Sequence, residues 1–140
     1  MARRATVQEI RASGQKELEI PGMVDEAGEP LTVLVRKVHA GERMGLMPPL
    51  PQSVLMGEQG KLMERERAWL DTLTPEQLDQ RRREGNEFCY RLVALAAIEP
   101  AMTVEDARAL GDGALILADE ITKFSSNAQA AEPELVKAEA

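Results

Sequence analysis

An eleven-residue run, FCYRLVALAAI from Phe88 to Ile98, constrains this chain more than any other stretch. Ten of its residues are apolar or aromatic, and only Arg91 interrupts. A run so short fits a buried strand or a buried helix, and periodicity alone does not separate the two. Context favours the helix. No proline breaks the preceding RRREGNE, and Ala94, Leu95, Ala96 and Ala97 are good helix formers. Phe88, Leu92 and Leu95 then share one face, with Cys89, Val93 and Ala96 beside them. A helix apolar nearly all round belongs at the centre of a core, and this one is too short to span a membrane.

The elements around it follow from local signals. Residues 1–15 are polar and read as a flexible N-terminus, with a short helical turn at Val7 to Ala12 ended by Gly14. In residues 16–38, Leu18 and Ile20 alternate with charged residues, and Leu31, Val33 and Val35 do the same on the far side of DEAGEP. That spacing predicts a β-hairpin turning at Asp25 to Pro30. Pro21 and Gly22 make its first strand either an edge strand or a bulged one. Two strands alone are marginal in water, so the hairpin must pack on helices or pair with another subunit.

Residues 39–60 form a connector rich in proline and methionine. A short helix fits its start, and Pro48, Pro49 and Pro51 then forbid any single regular element. Those prolines resemble an SH3 or WW ligand superficially; a plain crossing between the β and α parts accounts for them more simply. Beyond it, KLMERERAWLDTL places Leu62, Trp69, Leu70 and Leu73 on one helical face, with Arg65 turned away. Thr74, Pro75 and Gln77 open a second helix with a capping box, which runs through Arg81, Arg82 and Arg83 into the core stretch. Pro100 ends it by excluding Glu99 from the α region. Thr103 and Asp106 cap a short third helix, and Ala114 to Phe124 forms the fourth. Residues 126–140 read as a flexible tail. The expected architecture is α+β: one domain over 16–125, an N-terminal hairpin followed by a helical body of about four helices.

Charge and chemistry narrow the function. The net charge of −7 is uneven. Residues 1–70 hold ten basic and ten acidic side chains, and residues 71–140 hold seven against fourteen. An acidic second half argues against nucleic-acid binding, which needs Lys and Arg to replace phosphate counterions. The opening MARRATVQEI lacks the apolar core of a signal peptide, so cytoplasmic synthesis is expected. Cys89 is the single cysteine, set in the most apolar stretch, and reads as an inert thiol. His39, the single histidine, has no Cys or carboxylate cluster nearby to complete a zinc site. The arginine run 81–83 is spread around its helix among Glu76, Asp79, Glu84 and Glu87, as a solvated face. Glu105 with Asp106, and Asp119 with Glu120, are explained by capping or by an exposed face rather than by catalysis. No phosphate loop, nucleophile elbow or paired-cysteine motif occurs. Neither enzyme activity nor a metal or cofactor is expected.

One cluster points towards binding. Met44, Met47, Met56 and Met63 lie within twenty residues, interleaved with Leu46, Leu50, Val54, Leu55 and Leu62. Methionine is flexible and polarizable and suits surfaces that accept varied apolar partners. Met44, Met47, Leu50, Leu55 and Met56 are the candidate partner-binding residues. The simpler reading, and the weightier one, is that these side chains complete a core short of aromatics.

The order of parts also carries a resemblance. VDEAGEP as a turn and LTVLVRKVHAGE as a return strand precede a variable middle; RLVALAAIEPAMTVEDARALGD and ALILADEITKFS follow. Over roughly residues 16–126, and most specifically over 24–42 and 91–124, this resembles the tail assembly chaperones of tailed bacteriophages and phage-like prophage elements. The proline-rich middle has no counterpart in that pattern. The resemblance implies a non-catalytic factor of the bacterial host cytoplasm. It would bind the long helical tape-measure protein, keep it soluble and recruit tail-tube subunits, self-associating in some cases, and it would be absent from the finished virion. A frameshifted longer product is a further implication. The alternatives are a structural component retained in the tail or capsid, and a small helical adaptor unrelated to phage.

Overall fold

The computed structural model describes residues 2–139, with side chains through Ser126. Alternation sets the sheet. Strand β1 (Gln15–Val24) and strand β2 (Pro30–Arg36) pair antiparallel with Leu18 opposite Val33. Leu18, Ile20, Val33 and Val35 are buried while Glu17, Glu19 and Thr32 face out. The turn is held by Asp25, whose Oδ1 accepts from the amides of Ala27 (2.8 Å) and Glu29 (3.0 Å). Both readings of Pro21–Gly22 hold together. β1 is an edge strand, and its register shifts between Glu19 and Val24, where Gly22 takes a φ of +77° that a residue with a Cβ adopts only at a cost.

A third strand was not expected. The helix read as running through Ile98 stops at Ala96, and strand β3 (Ala97–Glu99) pairs with β2 through Glu99–Leu34 and Ala97–Val35. The cause is the one that ends the helix. A residue held extended before proline lies beside the open edge of β2, whose backbone groups need partners. The hairpin is thereby stabilised within the chain.

Helix α1 (Val7–Ser13) occupies the short turn expected near the N-terminus, with Gly14 as its C-cap. Helix α2 (Ala40–Leu46) and helix α3 (Gln52–Leu55) divide the connector around an extended 47–51. A 3-10 turn at Gln59–Lys61 leads into helix α4 (Leu62–Asp71), then helix α5 (Pro75–Ala96) and helix α6 (Val104–Ala109). Helix α7 (Asp112–Glu139) closes the chain. The expected tail at 126–140 falls where backbone continues α7 to Glu139, and its side chains lie outside the described ones. Among the described residues seven helices stand against about four expected; α4 to α7 make up the helical body, and α1, α2 and α3 precede it. The Thr74–Gln77 and Thr103–Asp106 capping boxes both form as read.

The core lies between one face of the sheet and helices α5, α6 and α7. Leu92, Val93, Ala96, Leu117, Ala118 and Ile121 meet the strand residues there, with Val38 sealing one end. Burial on α5 therefore follows 92, 93 and 96, with Phe88 and Cys89 half-buried. Leu95, expected inside, is 37% exposed. The helix is apolar nearly all round in sequence but covered on one side only, because the body has no further layer beyond it. No helix among the described residues is long and apolar enough to cross a membrane.

Candidate functional site

Leu46 packs against the core and Val54 is buried, but most of the connector and α4 stand outside the core, where polar tethers hold them. Arg65 on α4 reaches back to the connector. Its Nε donates to the carbonyl of Val54 (2.7 Å) and its Nη1 to the carbonyl of Glu58 (2.6 Å). Val54 itself is buried, as the one apolar anchor of α3. Gly57, at a φ of +135°, lies directly under this guanidinium, where a Cβ would sit 2.8 Å from Nη1. Arg65 was expected to face away from the apolar surface; it is instead half-buried and structural.

Arg81 is the second tether, and here the solvated-face reading fails. Its side chain is only 20% exposed. Its guanidinium carbon lies 5.2 Å from the centroid of the Trp69 ring, and Nη1 donates to the carbonyl of Pro49 (3.1 Å), with Glu84 at 3.5 Å. An arginine that stacks on an aromatic ring can still use its planar donors at the edge, so one side chain joins α4, α5 and the connector. Arg82 and Arg83 do behave as expected, both pairing with Asp79 on the exposed side.

The second tether lies within a groove. A depression of about 450 Å³ is lined by Leu50, Pro51, Trp69, Leu73 and Gln77 around Arg81. A second, of about 210 Å³, is lined by Leu46, Met47, Glu87 and Arg91. Pro49 and Glu84 line both, and Arg81, which reaches each of them, stands where the two adjoin.

The five candidate residues divide. Met47 and Leu50 line the groove. Met44, Leu55 and Met56 are exposed on α2 and around the end of α3, at 72%, 54% and 67%. Met63 is 83% exposed. Of the interleaved apolar residues only Val54 is fully buried, with Leu46 packed against the core. Core completion thus does not account for the methionines. No local signal in the sequence places Trp69, Leu73 and Arg81 in one site. Their convergence depends on how α4 turns into α5, and only an aromatic–arginine pair flanking a capped helix start hinted at it.

The other groups considered for chemistry are occupied. Asp106 accepts from the Thr103 amide, which holds its carboxyl below the usual range, and Glu105 pairs with Arg108. Asp119 and Glu120 face Lys123 at 2.9 and 4.0 Å. Burial, and then Asp119, push the Cys89 thiol up, away from the thiolate form. The amide of His39 donates to Glu42 at the start of α2. Among the described residues no group of three or more His, Cys, Asp and Glu side chains could hold a metal ion.

Comparison of the chain with protein-family models, with curated proteins and with solved structures returns no match.

Proposed function

We propose that this protein is a tail assembly chaperone of a tailed phage or phage-like element, as the resemblance of residues 16–126 implies. It binds the tape-measure protein in the bacterial cytoplasm, keeps it soluble and recruits tail-tube subunits. The observation that supports the proposal is the exposure of Met44, Met47, Leu55, Met56 and Met63 within one twenty-residue stretch. Monomers seldom leave so many large apolar side chains in one short stretch without a partner for them. Methionine adapts its shape to many apolar neighbours at small cost. That property suits a protein that must cover successive, non-identical stripes of a long helical client.

The test is co-expression of the tagged chain with the long helix-rich protein encoded beside it. Rescue of that neighbour's solubility, with co-purification, is the expected outcome. A neighbour that is soluble alone and ignores this chain refutes the proposal. Finding the chain in purified particles by mass spectrometry would point to a retained structural component instead.

A further inference from the structure

One long border of the sheet is left open. In the order β1–β2–β3, β3 occupies the far side of β2, and β1 forms the other edge. The ladder fixes which groups of β1 are left over. The Lys37 amide donates to the Gly14 carbonyl (3.0 Å), and the register continues as Lys16↔Val35 and Leu18↔Val33. Bonded pairs alternate along an antiparallel ladder, so the even-numbered residues of β1 bond to β2. The amides and carbonyls of Gln15, Glu17 and Glu19 point the other way, and no backbone partner meets them among the described residues. Pro21 has no N–H, and the register shifts beyond Glu19. The open stretch is therefore Gln15 to Glu19, about 14 Å long.

Side chains along this stretch say what fits. Gln15, Glu17 and Glu19 are exposed on the outer face, while Leu18 and Ile20 are buried on the core face. Thr32 Oγ1 donates to Glu17 Oε1 (2.9 Å). Neither Glu17 nor Glu19 has an ion pair among the described residues. A second copy of the chain is a poor match for this edge. Antiparallel pairing of two β1 edges, in the registers of greatest overlap, sets Glu17 against Glu17 or Glu19 of the other copy. Like charges directly opposite destabilise a strand pair, and opposite charges stabilise it. The carboxylates that guard the edge against its own kind thus favour a cationic strand.

We propose that the free edge of β1 takes up an extended segment of a partner protein as a fourth strand, with Lys or Arg opposite Glu17 and Glu19. The basic residues of that segment alternate with an apolar one, which falls on the side of Leu18 and Ile20. Main-chain bonds to Gln15, Glu17 and Glu19 hold the segment, and the two carboxylates select it. None of these features depends on the chaperone reading.

The probe is a seven-residue peptide with lysine at three alternate positions, valine between them and a serine at each end. Amide hydrogen exchange of the full chain, read by NMR, reports the contact residue by residue. Without peptide, the amides of Lys16 and Leu18 exchange slowly and those of Glu17 and Glu19 fast. The expected result at saturating peptide is slowing of Glu17 and Glu19 by about tenfold or more. A glutamate version of the peptide binds about tenfold more weakly, the size of two cross-strand charge pairs. A lysine peptide N-methylated at its lysine amides keeps every charge, loses the donors that face β1, and gives no protection. Glu17→Lys combined with Glu19→Lys reverses the preference between the lysine and glutamate peptides while far-UV circular dichroism stays native. Absence of protection at Glu17 and Glu19 overturns the proposal, as does equal protection by the N-methylated peptide, since the edge then merely attracts cations. Those two comparisons use the unaltered chain and so hold whether or not the double variant folds. A lysine preference that survives the double reversal in a folded chain overturns it as well.

Discussion

Arg81→Ala tests whether one side chain sets the geometry of the groove. The substitution removes a guanidinium hydrogen bond to the Pro49 carbonyl, about 1.5–3 kcal/mol for a charged donor. It also removes the stack on Trp69, about 0.5–1 kcal/mol, and a marginal contact with Glu84, about 0–1 kcal/mol. The loss is about 2–5 kcal/mol. None of it touches the core between the sheet, α5 and α7, so the effect is local opening of residues 47–51 rather than global unfolding. At about 1.4 kcal/mol per tenfold, the open population rises by about 30- to 4,000-fold. Acrylamide quenching of Trp69 reads this directly, because the indole loses its cover. The expected outcome is steeper quenching and a red-shifted emission, with the denaturation midpoint followed by circular dichroism nearly unchanged. Arg81→Lys keeps the charge but loses the planar stack and the fork of donors, and falls between. Unchanged Trp69 quenching in Arg81→Ala would refute the reasoning and leave Val54 and Arg65 as the connector's main anchors.

Two further perturbations probe the same periphery. Gly57→Ala places a methyl against the pinned Arg65 guanidinium in a backbone conformation that favours glycine. A loss of about 1–3 kcal/mol is expected in urea denaturation, and no loss would mean that Arg65 swings free of its two carbonyls. Glu42 has its carboxyl pulled down to about 2, first by its ion pair with Arg36 and then by the His39 amide. Its folded pKa lies below the unfolded value, so its contribution is present above about pH 4.5 and fades as pH falls towards 2. Glu42→Gln should flatten the acid limb of the stability curve across that window while the wild type keeps its slope. Parallel curves from pH 5 to pH 2 would remove Glu42 from the account.

The parts of the fold legible in sequence are those set by local rules. Alternation located Leu18, Ile20, Val33 and Val35, and the Asp25 turn chemistry joined their strands. Thr74 and Thr103 marked helix starts through capping boxes that need only four residues to form. What was not legible depends on distant segments. Pro100 announced that Glu99 is extended, but only the open edge of β2, some sixty residues earlier, turns that extension into a strand. Leu95 looked as apolar as Leu92. Its exposure follows from how many layers cover α5, which no window of sequence contains.

The candidate site repeats this division at smaller scale. Methionine density identified a segment with unusual surface chemistry, because composition is a local property. The groove is not local: it exists because Arg81 meets Trp69 across the break between α4 and α5 and then captures a carbonyl of a proline segment thirty-two residues earlier. In a run of three arginines flanked by acidic residues, nothing distinguishes Arg81 from Arg82 or Arg83 except helical phase. Phase places Arg82 and Arg83 over Asp79 and turns Arg81 inward. The side chain that organises the surface is thus the one least separable from its neighbours by residue type, and its role rests on a geometry that changing Arg81 alone would break.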